Sequence, residues 1–234
     1  MARLPRRKFS CGSGAVLRVG GHAVRTLARA LGFCALIALL LINVYVELKP
    51  GMVVGVIPKL GFACAFTGLW SLVCFSHKGG GSPSRKRGYF LALFAYYIWM
   101  LLNLLFFDAA FGRADGFAGL NRVPFLTIHN YLRAYELGNI SLNLVILNLA
   151  GNLAAFAPMG FFLPALYPRQ RNLLIFTPTV TGMIALVEVT QYLTRTGSCD
   201  VDDLILNAAG ALLVWLICLL PPFRYWVRGV TRRG

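Results

Sequence analysis

Glu188, Gln191, Arg195, Asp200, Asp202, Asp203 and Asn207 fall within one stretch, EVTQYLTRTGSCDVDDLILN (188–207), that lies among strongly apolar segments. It holds four of the chain's eight acidic residues. A carboxylate at the centre of a bilayer costs roughly 2.5–3.5 kcal/mol on insertion scales unless it is paired, protonated, or turned to water or protein. Glu188 is therefore a candidate acid, base or ligand contact. The amides can donate and accept, which suits them to holding a polar headgroup. The aspartates offer oxygens of the kind a hard cation takes.

Each of these residues also has a plainer reading. Polar side chains between membrane helices often hydrogen-bond across the bundle, and Asn148 and Asn152, one turn apart, are open to that role. Asp200, Asp202 and Asp203 stand where carboxylates cap a helix N-terminus. Glu188 either pairs with Arg195 (at i+7 on the same face) or another cation, or stays protonated through desolvation. A metal centre is not expected, since only His129 is near and no HExxH or Cys-x-x-Cys spacing occurs. Ser141, Thr190, Ser198 and Cys199 have no histidine partner in sequence to activate them, and no cofactor is implied.

The elements that must position this cluster follow from composition. The 234 residues are 58% hydrophobic and 13% charged, with a mean hydropathy of +0.68. That is too few charges to coat a soluble sphere, and the expected fold is an all-α polytopic helix bundle in a membrane. Six apolar segments, about 31–48, 56–76, 89–107, 142–166, 172–193 and 204–220, are each near the length that crosses a ~30 Å hydrocarbon core.

Orientation comes from Lys and Arg. Seventeen of the 23 lie in the N-terminal tail, the 77–88 loop, Arg169 and Arg171, and the C-terminal tail. Both termini are therefore expected in the cytoplasm, with the acidic window in the outer half of the bilayer. The net charge of +15 is explained by orientation, and nucleic acid is not an expected partner. Of the six cysteines only Cys199 falls on an expected outer loop, so no disulfide framework follows.

The chain divides into a basic tail or amphipathic helix (1–30), two membrane helices and a cytoplasmic loop (31–88), a main membrane domain (89–220) and a basic tail (221–234). In the first part Arg18, His22, Arg25 and Arg29 share one helical face, although Gly20-Gly21 weakens a helix there. A cleavable signal peptide is not expected, because no small-x-small site follows the first apolar run. The glycine run of the 77–88 loop lacks the strand and full motif of a phosphate-binding loop. The outer segment 108–141 is expected to form a partly helical cap.

With these directions, Asn148 and Asn152 descend from the outer end of the fourth apolar segment. Glu188 lies roughly 8–9 Å below the outer end of the fifth at ~1.5 Å per residue, and Asn207 is one turn into the sixth. Three segments thus bring acids and amides to one level, which argues for a single outward-facing pocket. Gly151, Gly160 and Gly210 would let helices approach closely. Pro158 would kink the fourth segment and free backbone carbonyls.

Three ordered blocks in these same regions resemble the VanZ-like family of bacterial membrane proteins. They are NRVPFLTI (121–128), NLAGNLAAFAPMGF (148–161), and EVTQ (188–191) with DVDDLILNAAG (200–210). The resemblance spans roughly 90–220. It implies a multi-pass protein of the bacterial cytoplasmic membrane and a cell-envelope role, the family being named for low-level teicoplanin resistance; no enzymatic activity comes with it.

The expected partners are membrane lipid and a lipid-linked envelope precursor or glycopeptide. The expected contacts are Asn148, Asn152, Glu188, Gln191, Arg195, Asp200, Asp202, Asp203, Asn207 and Arg122, with Arg122 and Arg133 suited to a phosphate. The alternative is a membrane-embedded enzyme acting on an envelope lipid through Glu188 and Asp200, Asp202 and Asp203. A third reading is a scaffold in which the polar groups only glue helices.

Overall fold

The computed structural model describes residues 13–49, 56–75, 83–106 and 119–231. In chain order the helices are α1 (Ser13–Leu48), α2 (Val56–Phe75), α3 (Pro83–Phe106), α4 (Leu126–Glu136), α5 (Leu142–Ala155), α6 (Met159–Leu166), α7 (Leu173–Thr194), α8 (Val201–Leu219) and α9 (Pro221–Thr231). A 3₁₀ turn, Pro168–Arg171, precedes α7. Two short strands, β1 (Leu120–Asn121) and β2 (Cys199–Asp200), pair in parallel.

Four spans, 86–106 in α3, 142–166 across α5 and α6, α7, and α8, are long and apolar enough to cross a bilayer. The apolar part of α1 (30–46) is shorter than these. Leu174, Leu186 and Leu193 on α7 are more than two-thirds exposed, as expected of side chains that face lipid. The chain is an all-α, multi-pass membrane bundle.

Three helix starts are capped by the residue types that accept from free N–H groups. Ser141 accepts from Leu144, Asn172 from Leu174 and Asp200 from Asp202. The centre of the bundle packs Leu101 and Leu105 of α3, Met159 and Leu163 of α6, Phe176, Val180 and Ile184 of α7, and Ala211 and Trp215 of α8. Phe176 stacks on Trp215 with ring centroids 5.6 Å apart, and Trp215 Nε1 donates to the Gln170 carbonyl at 2.8 Å.

Pro158 does more than kink its segment. The α-helical pattern breaks between Ala155 and Met159, and a tight turn carries the chain from α5 into α6. The Met159 N–H bonds Phe156 rather than the Ala155 carbonyl, and the Tyr97 hydroxyl on α3 takes that carbonyl at 2.7 Å. The turn leaves the Ala155 carbonyl without its helical donor, and a hydroxyl from a neighbouring helix supplies one.

Residues 13–30 are helical, one of the two readings open for them, and run unbroken through Gly20-Gly21 into the first apolar segment; residues 1–12 lie outside the described part. The C-terminal residues 221–231, read as a basic tail, form α9, which buries Val227 and Val230 against Tyr89, Phe90, Ala165 and Leu166. The 108–141 segment is helical over α4, in keeping with the partly helical cap expected there, and α8 begins at Val201 rather than 204.

Candidate functional site

The polar cluster is built where α7 ends and α8 begins. Thr194 is the last residue of α7, and Arg195 closes it in the left-handed region at φ 56°. The chain returns through β2, whose Cys199 N–H donates to the Gly119 carbonyl at 2.9 Å, so α8 starts beside the segment that leads into α4.

Two aspartates hold that segment. Asp202, fully buried, accepts from the backbone N–H groups of Phe125, Thr127 and Ile128. These are free donors at the start of α4, where a carboxylate also meets the positive end of the helix dipole. Phe125 adopts φ 65° there, with no side-chain cap of α4's own. Asp200 caps α8 through the Asp202 N–H at 2.8 Å and takes Asn121 Nδ2 at 2.9 Å and Thr127 Oγ1 at 2.6 Å. Asn121 Oδ1 accepts from Val123 N at 2.9 Å, folding its own loop. Capping was one of the two readings open for these aspartates, but Asp202 caps a helix 75 residues away, not its own.

Asp203 lies one turn from Asn207 and faces α5, where Asn152 Nδ2 donates to Asp203 Oδ1. Asn207 is buried, its Nδ2 on the Asp203 carbonyl at 2.8 Å, and its Oδ1 meets no donor. Asn148 turns back to the Leu144 carbonyl of its own helix at 2.9 Å. Gln191 Nε2 reaches the Leu105 carbonyl of α3 at 2.7 Å, tying α7 to the end of that span. Glu188 is buried, and its Oε2 accepts from the Asp200 N–H at 3.2 Å.

Asn152, Glu188, Asp200, Asp202, Asp203 and Asn207 thus come together around the start of α8, while Asn148 and Gln191 are spent on backbone carbonyls nearby. Arg122, Arg133 and Arg195 are exposed. The positive field of Arg122 reaches Cys199 beside the cluster. Among the described residues no group of three His, Cys, Asp or Glu side chains is arranged to hold a metal ion.

The side chains of Asn121 and Thr127 close the clasp; Thr127 was not singled out from sequence, and Asn121 was not among the expected contacts. Their signal was the motif itself, since both polar residues stand in NRVPFLTI and both reach Asp200.

Burial raises the Cys199 thiol above its ordinary value, helped by the negative charges of Glu188 and Asp200, while Arg122 pulls the other way. Burial and the charges of Asp203 and Asp200 likewise raise Tyr131 on α4. Thiolate is the reactive form. A variant retaining only Cys199 should therefore react with a membrane-impermeant maleimide on intact cells, more slowly than free cysteine at pH 7.4. Glu188→Gln should speed the reaction and Arg122→Gln should slow it. Labelling that needed permeabilised cells would reverse the orientation expected from the distribution of Lys and Arg.

A family model described as VanZ/LLP1 matches residues 93–222, more than half of the chain. No curated protein and no solved structure matches.

Proposed function

This chain belongs to the VanZ/LLP1 family, and we propose that it lies in the bacterial cytoplasmic membrane with the cluster outward, where it binds a lipid-linked envelope component or a glycopeptide carried on one. The observation that carries this reading is the convergence of Asn152, Asp203, Asn207 and Glu188 from α5, α7 and α8 on one end of an otherwise apolar bundle. Within it the buried Asn207 Oδ1 is an acceptor without a donor. Buried polar atoms are nearly always hydrogen-bonded, so an orphan acceptor marks a place for a water or a ligand donor.

In this reading Arg122 and Arg133 meet a phosphate, for which guanidinium geometry is suited, and the exposed Arg195 adds positive charge beside them. Asn152 and Asn207 orient the attached polar group, while Asn148 and Gln191 hold backbone carbonyls of the surrounding helices. Asp200 and Asp202 act through the clasp, fixing the loop that carries Arg122, and Glu188 and Asp203 set the local charge. Binding there would withhold the glycopeptide or its target from productive encounter, giving low-level teicoplanin resistance.

Expression of the chain in a susceptible host should raise the inhibitory concentration of teicoplanin severalfold. Glu188→Gln and Asn152→Ala, at matched membrane abundance, should each remove most of that gain. Full protection by both variants would refute the site.

A further inference from the structure

A second site lies on a different face of α5. Lys59, Ala63 and Thr67 of α2, Leu93, Tyr97, Met100 and Leu104 of α3, and Leu147, Gly151, Ala154 and Pro158 of α5 enclose a cavity of about 580 Å³. The lining residues form stripes at helical spacing: 59, 63 and 67 on α2, 93 to 104 on α3, and 147 to 158 on α5. At ~1.5 Å per residue these stripes run about 12–16 Å along the bundle axis. The cavity is therefore a slot, and its length matches one leaflet of a ~30 Å hydrocarbon core.

The slot carries charge at one end only. Lys59, near the start of α2, is the single charged residue in its wall. Leu104 at the end of α3 and Leu147 near the start of α5 stand at that same end. The hydroxyls of Thr67 and Tyr97 are already turned to the carbonyls of Ala63 and Ala155, and Tyr96, whose ring stacks on Phe66, adds one hydroxyl to deeper walls that are otherwise hydrocarbon. Lys59 is 5% exposed. A lysine close to a helix end ordinarily extends to the interface, and an intramembrane cation held inside marks a functional position. Its ammonium has three donors, so it can keep its contacts within the protein and still bond an anion.

We infer that this slot holds one acyl chain of an anionic phospholipid from the outer leaflet, with the lipid phosphate on Lys59. A hydrocarbon trough one leaflet long with one cation at its headgroup end is complementary to that amphiphile. A zwitterionic lipid fills the trough equally well but brings its own cation to Lys59. The site is separate from the Asn152–Asp203 cluster and does not depend on it.

Native mass spectrometry of the full-length protein in detergent tests this, with phosphatidylglycerol and phosphatidylcholine of identical 16-carbon chains as probes. One phosphatidylglycerol per chain should be retained at least fivefold better than phosphatidylcholine. Lys59→Gln should abolish the preference, Lys59→Arg should keep it, and Ala154→Phe, which fills the trough, should lose both lipids. Equal retention of the two lipids by the unaltered protein, or a preference that survives Lys59→Gln, overturns the assignment. Should Ala154→Phe not yield monodisperse protein, the Lys59→Gln and Lys59→Arg pair decides alone.

Discussion

Asp202→Ala should destabilise the bundle by about 3–5 kcal/mol and release the strap of residues 120–128, because it removes the acceptor of three part-buried backbone donors. Each N–H left without a partner costs about 1–3 kcal/mol, and hydrogen bonds to a charged group are individually stronger than neutral ones. Phe125, Thr127 and Ile128 all donate to this one carboxylate, and α4 has no cap of its own to fall back on. Water reaching the loosened strap recovers part of the loss, which keeps the total below three full penalties. Asp202→Asn should be nearly as damaging, since its amide would bring a donor towards existing donors. Thr127→Val, which removes one hydroxyl bond to Asp200, should cost only about 1 kcal/mol. Hydrogen exchange at residues 125–128, together with thermal unfolding in detergent, measures this. Unchanged protection in Asp202→Ala would show that the clasp does not hold α4.

Gly210→Ala should separate α5 from α8 at a cost near the upper end of the ~1–3 kcal/mol typical of overpacking. A Cβ at Gly210 would collide with the Leu153 carbonyl oxygen and come within 2.8 Å of its carbon. These are backbone atoms, so no rotamer change relieves the clash and the helices must move apart. That movement would pull Asn152 from Asp203, coupling a packing defect to the polar cluster. Gly160→Ala meets the same obstacle against α8, with a Cβ 2.7 Å from the Trp215 nitrogen and in collision with the Ala211 carbonyl. Gly182→Ala is the control: nothing lies within 4 Å of its Cβ, and alanine is the better helix former by roughly 1 kcal/mol. Melting temperatures should drop for Gly210→Ala and stay level or rise for Gly182→Ala. Equal behaviour of the two would mean that the close approach of α5 and α8 carries no stability.

The glycines illustrate how far a linear reading reaches. Gly160 and Gly210 were recognisable as positions for close helix approach, and both serve it. Gly151, in the same motif, lines the lipid-sized slot instead. Pro158 announced an interruption in its segment, but not that Tyr97, some 60 residues earlier, would take the carbonyl that the break exposes. Lys59 stands in sequence as one basic residue near the start of the second apolar segment, and nothing in its neighbourhood shows that α3 and α5 close a trough around it.

By itself the sequence determined the membrane environment, the course of the apolar segments, the concentration of acids and amides in 188–207, and the family. Those properties belong to single residues and their spacing along one helix, where solvent preference and a period of 3.6 suffice. The tertiary structure alone decided which polar groups meet. Asp202 binds the start of α4, Asn152 turns to Asp203 while Asn148 stays on its own helix, and Gln191 reaches Leu105. Those pairings depend on how each helix is rotated and tilted against its neighbours, which packing sets and hydropathy does not encode. A buried carboxylate satisfied by three backbone donors is therefore invisible in the one-dimensional pattern, although every residue that builds it stands there in plain order.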